Sequence, residues 1–216
     1  MHAYAFLAEG TVAPLSEFRW PTSNDPEHGP WVDTDTAPSE ALRGYRARDL
    51  PYWLDDELWN IELAGRLSGR EHLLLAERAR LRRRIERWNE AFAQDFTNAC
   101  ARRVMHQAAA ALRADGRTDA AVSLEEARDL EELERAASAV ADHPNASGVL
   151  AGYTADVCFY ARDACNAARA ACVAAKMAAF ALAGDDRAPD HGERLASERA
   201  WQAGWLTDRL GLTARA

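Results

Sequence analysis

The chain contains no Gly-x-Ser-x-Gly, no P-loop, no Gly-x-Gly-x-x-Gly and no Cys-x-x-Cys. The common nucleophile elbows, phosphate cradles, dinucleotide fingerprints and dithiol sites therefore lack support. No Glu-x-x-His occurs on the stretches that read as helices, which removes the spacing a carboxylate-bridged metal pair needs. Neither a metal nor a cofactor is expected. Cysteine is sparse, and Cys158, Cys165 and Cys172 recur every seven residues. On a helix that is about 10.5 Å per step, too far for a disulfide or a shared zinc, so they read as small buried hydrophobes. Met1–Val12 lacks the basic start and apolar run of a signal peptide, and Arg162, Arg169 and Lys176 interrupt the alanine-rich stretch that would otherwise resemble a membrane span. A cytoplasmic protein without membrane contact is the expectation. A net charge of -8, from 34 acids and 26 bases, also disfavours nucleic acid as a partner. Arg80, Arg82, Arg83, Arg84 and Arg87 form a local basic run, but Glu77, Glu86 and Glu90 interleave with it, and the run reads as a solvated helix face.

What is present is a change of period. Five of the eight prolines lie in the first 50 residues, where short strands and turns are expected: a strand at Tyr4–Leu7, a loop at Asn24–Pro30, a helical turn within Leu50–Glu57 and a strand at Leu58–Leu63. Gly65–Arg70 reads as a turn, and His72–Ala76 as a second strand or the start of a helix. From about Arg80 the period is 3.6. Leu81, Ile85, Trp88, Phe92, Phe96 and Ala99 make an apolar stripe on a helix expected to end at Ala114, before Asp115-Gly116. Ser123-Leu-Glu-Glu126 reads as a capping box opening a second helix that closes near His143-Pro144. A long third helix is expected from Gly148 to Ala183, and Asp190-His-Gly-Glu193 opens a last one with Leu195, Trp201, Trp205, Leu206 and Leu210 on its apolar face. The fold class is α+β and predominantly α, with residues 1–78 a small β-rich unit packed on an antiparallel bundle of about four helices, residues 79–216, around a central alanine-rich helix.

That third helix is written in heptads beginning at Tyr153, Tyr160, Ala167 and Ala174. At 100° per residue, the column of Ala155, Arg162, Arg169 and Lys176 points to water. The columns of Tyr153 and Tyr160 and of Val157, Ala164, Ala171 and Ala178 point inward, flanked by Asp156 and Asp163. The first long helix has a matching anomaly, since its apolar stripe continues at spacings of seven into Asp95, Arg102 and His106. Buried ionisable groups need partners or a cavity. Either the helix outruns the core and leaves Arg102 and His106 in water, or Asp95 pairs with a base such as Arg162, or a pocket lies between the long helices. In the last case Trp88, Asp95, Asn98, Arg102 and His106 face Tyr153, Asp156, Tyr160 and Asp163. There Asp95, Asp156, Asp163 and Tyr160 would do acid-base work, while Tyr153, Asn98, Arg102, His106 and Trp88 hold a ligand. Trp20, Trp31, Trp53 and Trp59 read as core or as a groove for a flat ligand, and His28 and His191 as exposed turn residues.

The segment Ala41-Leu-Arg-Gly-Tyr-Arg-Ala-Arg-Asp-Leu-Pro-Tyr-Trp-Leu-Asp-Asp-Glu-Leu-Trp-Asn-Ile-Glu-Leu-Ala-Gly65, with Tyr4–Leu7, Trp20-Pro21 and the ending Trp205-Leu206 and Arg209–Leu212, resembles a group of uncharacterised actinobacterial proteins. The resemblance implies an architecture over most of the chain and brings no reaction with it. In that group the stretch before Asp-Leu-Pro-Tyr-Trp often reads Gly-x-His-Ala-Cys, but here it is Ala41, Leu42, Arg43, Gly44 and Tyr45, so a site using that histidine and cysteine is absent or replaced by Arg43 and Tyr45. The leading expectation is a small-molecule binder or cofactor-independent enzyme. The alternative is an adaptor or oligomerisation module, to which a homodimer is open, with the heptad stripe packing on another chain.

Overall fold

The computed structural model describes residues 1–23, 29–38, 41–184 and 186–212, and the loop expected at 24–30, with His28, falls mostly outside them. The chain is α+β and about half helical, and it divides into two compact units. The first comprises residues 1–89 and 203–216, the second residues 90–202. The break thus falls about ten residues beyond position 78, and the last helix contributes to both units. Among the described residues no helix is long and apolar enough to cross a membrane.

The first unit is built on antiparallel strands β1 (His2–Leu7), β2 (Val32–Asp33), β3 (Arg43–Gly44), β4 (Glu57–Arg70) and β5 (Leu73–Arg84). The sheet order is β1-β4-β5-β2, and β3 also lies on β5. Tyr4 and Tyr45 then exchange backbone hydrogen bonds of 2.9 and 2.7 Å, which ties β1 to the end of β3 and closes the strands on themselves. Pairing of Ile61 with Leu81 and of Leu63 with Ala79 puts these residues in one core with Ala3, Ala5, Leu7, Leu42 and Trp20. Gly44 belongs there because a Cβ would come within 3.0–3.3 Å of Ala3, Leu63 and Ile61.

Gly65–Arg70 is strand, not turn, since β4 runs through it with a register shift between Ala64 and Leu67, and Gly65 takes φ +76°. Arg80–Arg84 is also strand, because β4 needs a partner along its length, so the arginine run is not a helix face. Arg80 and Arg82 share Glu62, with Arg80 Nε 2.8 Å from the carboxylate. Burial pushes Glu62 upward, but the Arg80 hydrogen bond and the charges of Arg80 and Arg82 more than offset it and hold the group below its ordinary value. Trp88 belongs to this unit: it is buried edge-on against Phe6, at 5.1 Å between centroids, and donates Nε1–H to the Asp55 carbonyl at 2.9 Å. It therefore serves this core and lines no pocket between helices. The short 3-10 helix Ala47–Tyr52 clamps the β4–β5 turn. Asp49 lies 3.5 Å from His72 Nδ1, the Tyr52 ring stacks on the imidazole, and Trp53 donates to the His72 carbonyl. Of the four early tryptophans, Trp20 is buried, Trp53 and Trp59 half-buried and Trp31 exposed.

The second unit holds α1 (Glu90–Ala114), α2 (Thr118–Glu126), α3 (Leu130–Ala141), α4 (Ala146–Arg162), α5 (Ala167–Ala183) and the first turns of α6 (His191–Leu210). Among the described residues six α-helices stand where four were expected, for two local reasons. Ser123 lies inside α2 and bonds back to the Asp119 carbonyl, and the capping box is instead Asp129 with Glu132, whose side chains accept from the backbone N–H groups of Glu132 and Arg128. The heptad stretch is also not one helix. Asp163 closes α4, and Asn166 Oδ1 accepts from Arg169 N at 2.8 Å to start α5. At the head of α4, a Cβ on Gly148 would lie 2.1 Å from the His143 carbonyl oxygen, so only glycine fits. The alanines of α5 let it pack closely against α1 and α4.

Candidate functional site

In the second unit, α4 buries Gly148, Ala151, Thr154, Val157, Cys158 and Ala161. This face is made of small side chains because α1, α3 and α5 all approach it. The larger residues are displaced to the outside, and the expected site comes apart. Tyr160 is 48% exposed, and Asp156, Asp163, Asp95 and His106 are exposed as well. Asn98 and Arg102 are half-buried, and Arg102 donates to the Ala127 and Arg128 carbonyls, at 3.0 and 3.2 Å, where α2 leads into α3. Arg162 pairs with Glu134 at 2.7 Å and with Glu131, not with Asp95. Cys100 and Cys158 are buried, as expected of small hydrophobes, while Cys172 is half-buried and Cys165 is exposed in the α4–α5 turn. Burial pushes the Cys158 thiol up to about 12 and raises Cys100 further, which suits packing and not reactivity.

A groove of about 990 Å³ does lie between the long helices, lined by other residues. Helix α1 supplies Arg103 and Gln107, α4 supplies Val149, Leu150 and Tyr153, and the end of α5 supplies Phe180, Ala181 and Leu182. The start of α6 adds His191, Arg194, Ser197 and Glu198. Of the residues expected from the sequence, Tyr153 alone lines it.

The charged end of the groove is an ion pair. Glu198 is 2% exposed, and one carboxylate oxygen lies 2.5 Å from Arg103 Nε. Its other oxygen accepts from Gln202 Nε2 at 3.4 Å, and Gln202 also donates to the Ala175 carbonyl and accepts from Arg199. Burial raises Glu198 above its ordinary value, and the Arg103 hydrogen bond and charge, with Gln202 and Arg199, offset this only in part. Arg103 keeps a partly open guanidinium whose carbon sits 4.4 Å above the Trp201 ring. His191, expected in solvent, is half-buried, and its Nδ1 has no hydrogen-bond partner among the described residues. The α4 and α5 residues of the lining are apolar apart from the Tyr153 phenol, with Gln107 and Asp186 as further polar lining.

These residues had a signal in the sequence. On α6, Leu195, Arg199, Gln202, Leu206 and Leu210 recur at steps of three and four, so Arg199 and Gln202 interrupt an apolar stripe, with Glu198 beside them. The same pattern occurs on α1 at Asp95 and Arg102. Among the described residues no group of three or more His, Cys, Asp or Glu side chains is placed to hold a metal ion. No family model, no curated protein and no solved structure matches this chain.

Proposed function

We propose that this groove binds a small amphipathic molecule, and that proton transfer at Glu198 is the chemistry it is equipped for. The observation that carries the reading is a carboxyl group almost wholly buried beside an apolar wall, still raised in pKa although an arginine touches it. A buried ion pair kept for stability alone gains little over well-packed apolar side chains, whereas a functional carboxyl benefits from being tuned toward neutrality. Arg103, braced by Trp201, meets the polar end of the ligand. Val149, Leu150 and Phe180 take its apolar body, and Tyr153 and His191 supply hydroxyl and imidazole contacts from the two sides.

The test uses a fluorescent aromatic sulfonate as the probe, with an anionic head for Arg103 and a ring system for the apolar wall. Binding is followed by energy transfer from tryptophan in the intact chain. Wild type is expected to bind saturably, while Arg103→Met and Leu150→Glu each weaken binding at least tenfold with unchanged circular dichroism. Equal affinity of both variants and wild type sinks the proposal.

A further inference from the structure

Apart from Tyr153, the tyrosine and aspartate positions of the heptads do not line the groove, but they have a consistent place on the surface. Asp156 and Asp163 stand on the outer ridge of α4, Arg169 and Lys176 on the outer ridge of α5, and all four are exposed. None of them forms an ion pair among the described residues. Helices α4 and α5 pack together and are joined by only four residues, 163–166, so they run antiparallel. The two acids are seven residues apart, as are the two bases, which is about 10.5 Å of rise in each case.

The geometry points to this face as a twofold interface with a second copy of the chain. A twofold axis perpendicular to the face exchanges the two ridges and reverses their sense. Helix α4 of the second copy therefore lies along α5 of the first and runs in the same direction. Because both spacings are seven, one register sets Asp156 over Arg169 and Asp163 over Lys176, and symmetry repeats both pairs across the axis. In that register Tyr160, 48% exposed, falls over the half-buried Val173, giving each ion-pair ladder an apolar centre. A partner of a single charge sign would be repelled by one ridge, whereas this chain presents acid and base in the matching order. Each helix has 17 residues, about 25 Å in length, and two helices about 10 Å apart offer a face on the order of 500 Å² per copy. That is smaller than the roughly 800 Å² per partner of a standard interface, so the dimer is reversible and weakened by salt. It does not depend on occupancy of the groove.

Sedimentation equilibrium of the full chain tests this. Wild type is expected to show a concentration-dependent monomer–dimer equilibrium that shifts to monomer in high salt. The pair Asp156→Lys with Asp163→Lys, and separately Arg169→Glu with Lys176→Glu, are each expected to be monomeric, since every intermolecular ion pair becomes like-charged. Mixed together, the two variants are expected to form a heterodimer, because the reversed acids of one meet the reversed bases of the other on both sides of the axis. These positions are solvent-exposed, and circular dichroism verifies that the variants fold. A wild type that stays monomeric at all concentrations, or variants that keep the wild-type mass, or a mixture that fails to associate overturns the proposal.

Discussion

Replacing Glu198 by glutamine removes the charge while keeping shape and one acceptor oxygen, and it separates a structural ion pair from a functional one. Two effects oppose each other. The variant gives up a charge-assisted hydrogen bond to Arg103, a contribution of about 1.5–3 kcal/mol, and it regains the desolvation penalty of a carboxylate that is 2% exposed, several kcal/mol per ion. The raised pKa of Glu198 means that the second effect exceeds the first in the folded protein. Arg103 is left in contact with Trp201 and partly with water, so it does not become an isolated buried charge. At neutral pH Glu198→Gln is therefore expected to lie within about 1 kcal/mol of wild type or to be more stable. The pH dependence has a definite sign. A carboxyl whose folded pKa lies above its unfolded value near 4.5 holds its proton longer in the native state, so its favourable contribution is full below the unfolded value and is lost as pH rises through the folded one. Wild type then gains on the glutamine variant as pH falls across that window. Urea unfolding at neutral pH and at mildly acidic pH measures both effects. A loss of about 3 kcal/mol or more at neutral pH, the usual result of breaking a structural buried pair, would refute the reasoning.

Two further outcomes follow from local geometry. Gly148→Ala is expected to destabilise by about 1–3 kcal/mol in urea unfolding, as overpacking does, because its Cβ would sit 2.1 Å from the His143 carbonyl oxygen; an unchanged midpoint would contradict the α4 start. Tyr45→Phe removes a buried hydroxyl that has no hydrogen-bond partner among the described residues, and it is expected to leave stability unchanged or raise it by about 1 kcal/mol. Burial raises the Tyr45 phenol from 10.0 to about 12, with Arg43 pulling the other way. Wild type should thus lose stability between those values relative to the phenylalanine variant, and a parallel pH dependence of the two would count against it.

Much of the fold was legible because its signals are local. Alternation at Ile61 and Leu63 gives the core face of β4, Gly116 at φ +75° follows α1, and the Asp190–Glu193 segment opens α6. The arginine strand carries a helical signature, because Leu81, Ile85, Trp88, Phe92 and Phe96 fall at steps of three and four straight across the junction of β5 and α1. Only the antiparallel pairing of β5 with β4 separates Leu81 from that helical series. The break between α4 and α5 leaves no local signal, since it has neither glycine nor proline and depends on Asn166 adopting an extended backbone and capping the next helix.

The amino-acid sequence by itself determined that an alanine-rich helical region follows a β-rich one, where α1 ends and where α4 and α6 begin, and that polar residues intrude on apolar stripes. Which of those residues meet was decided by tertiary packing. Hydrophobicity alone would send Tyr153 and Tyr160 inward, but α4 is crowded by α1, α3 and α5, and the face it buries against them carries the smaller side chains of Gly148, Ala151, Thr154, Val157, Cys158 and Ala161. Tyr160 and the two aspartates were turned to the surface, Tyr153 was left half-buried in the groove, and the buried carboxyl came instead from α6, about 40 residues further along the chain, where Glu198 meets Arg103. The phase of a helix whose apolar residues differ mainly in size is set by the space its neighbours leave, and no periodicity in a single segment records that space.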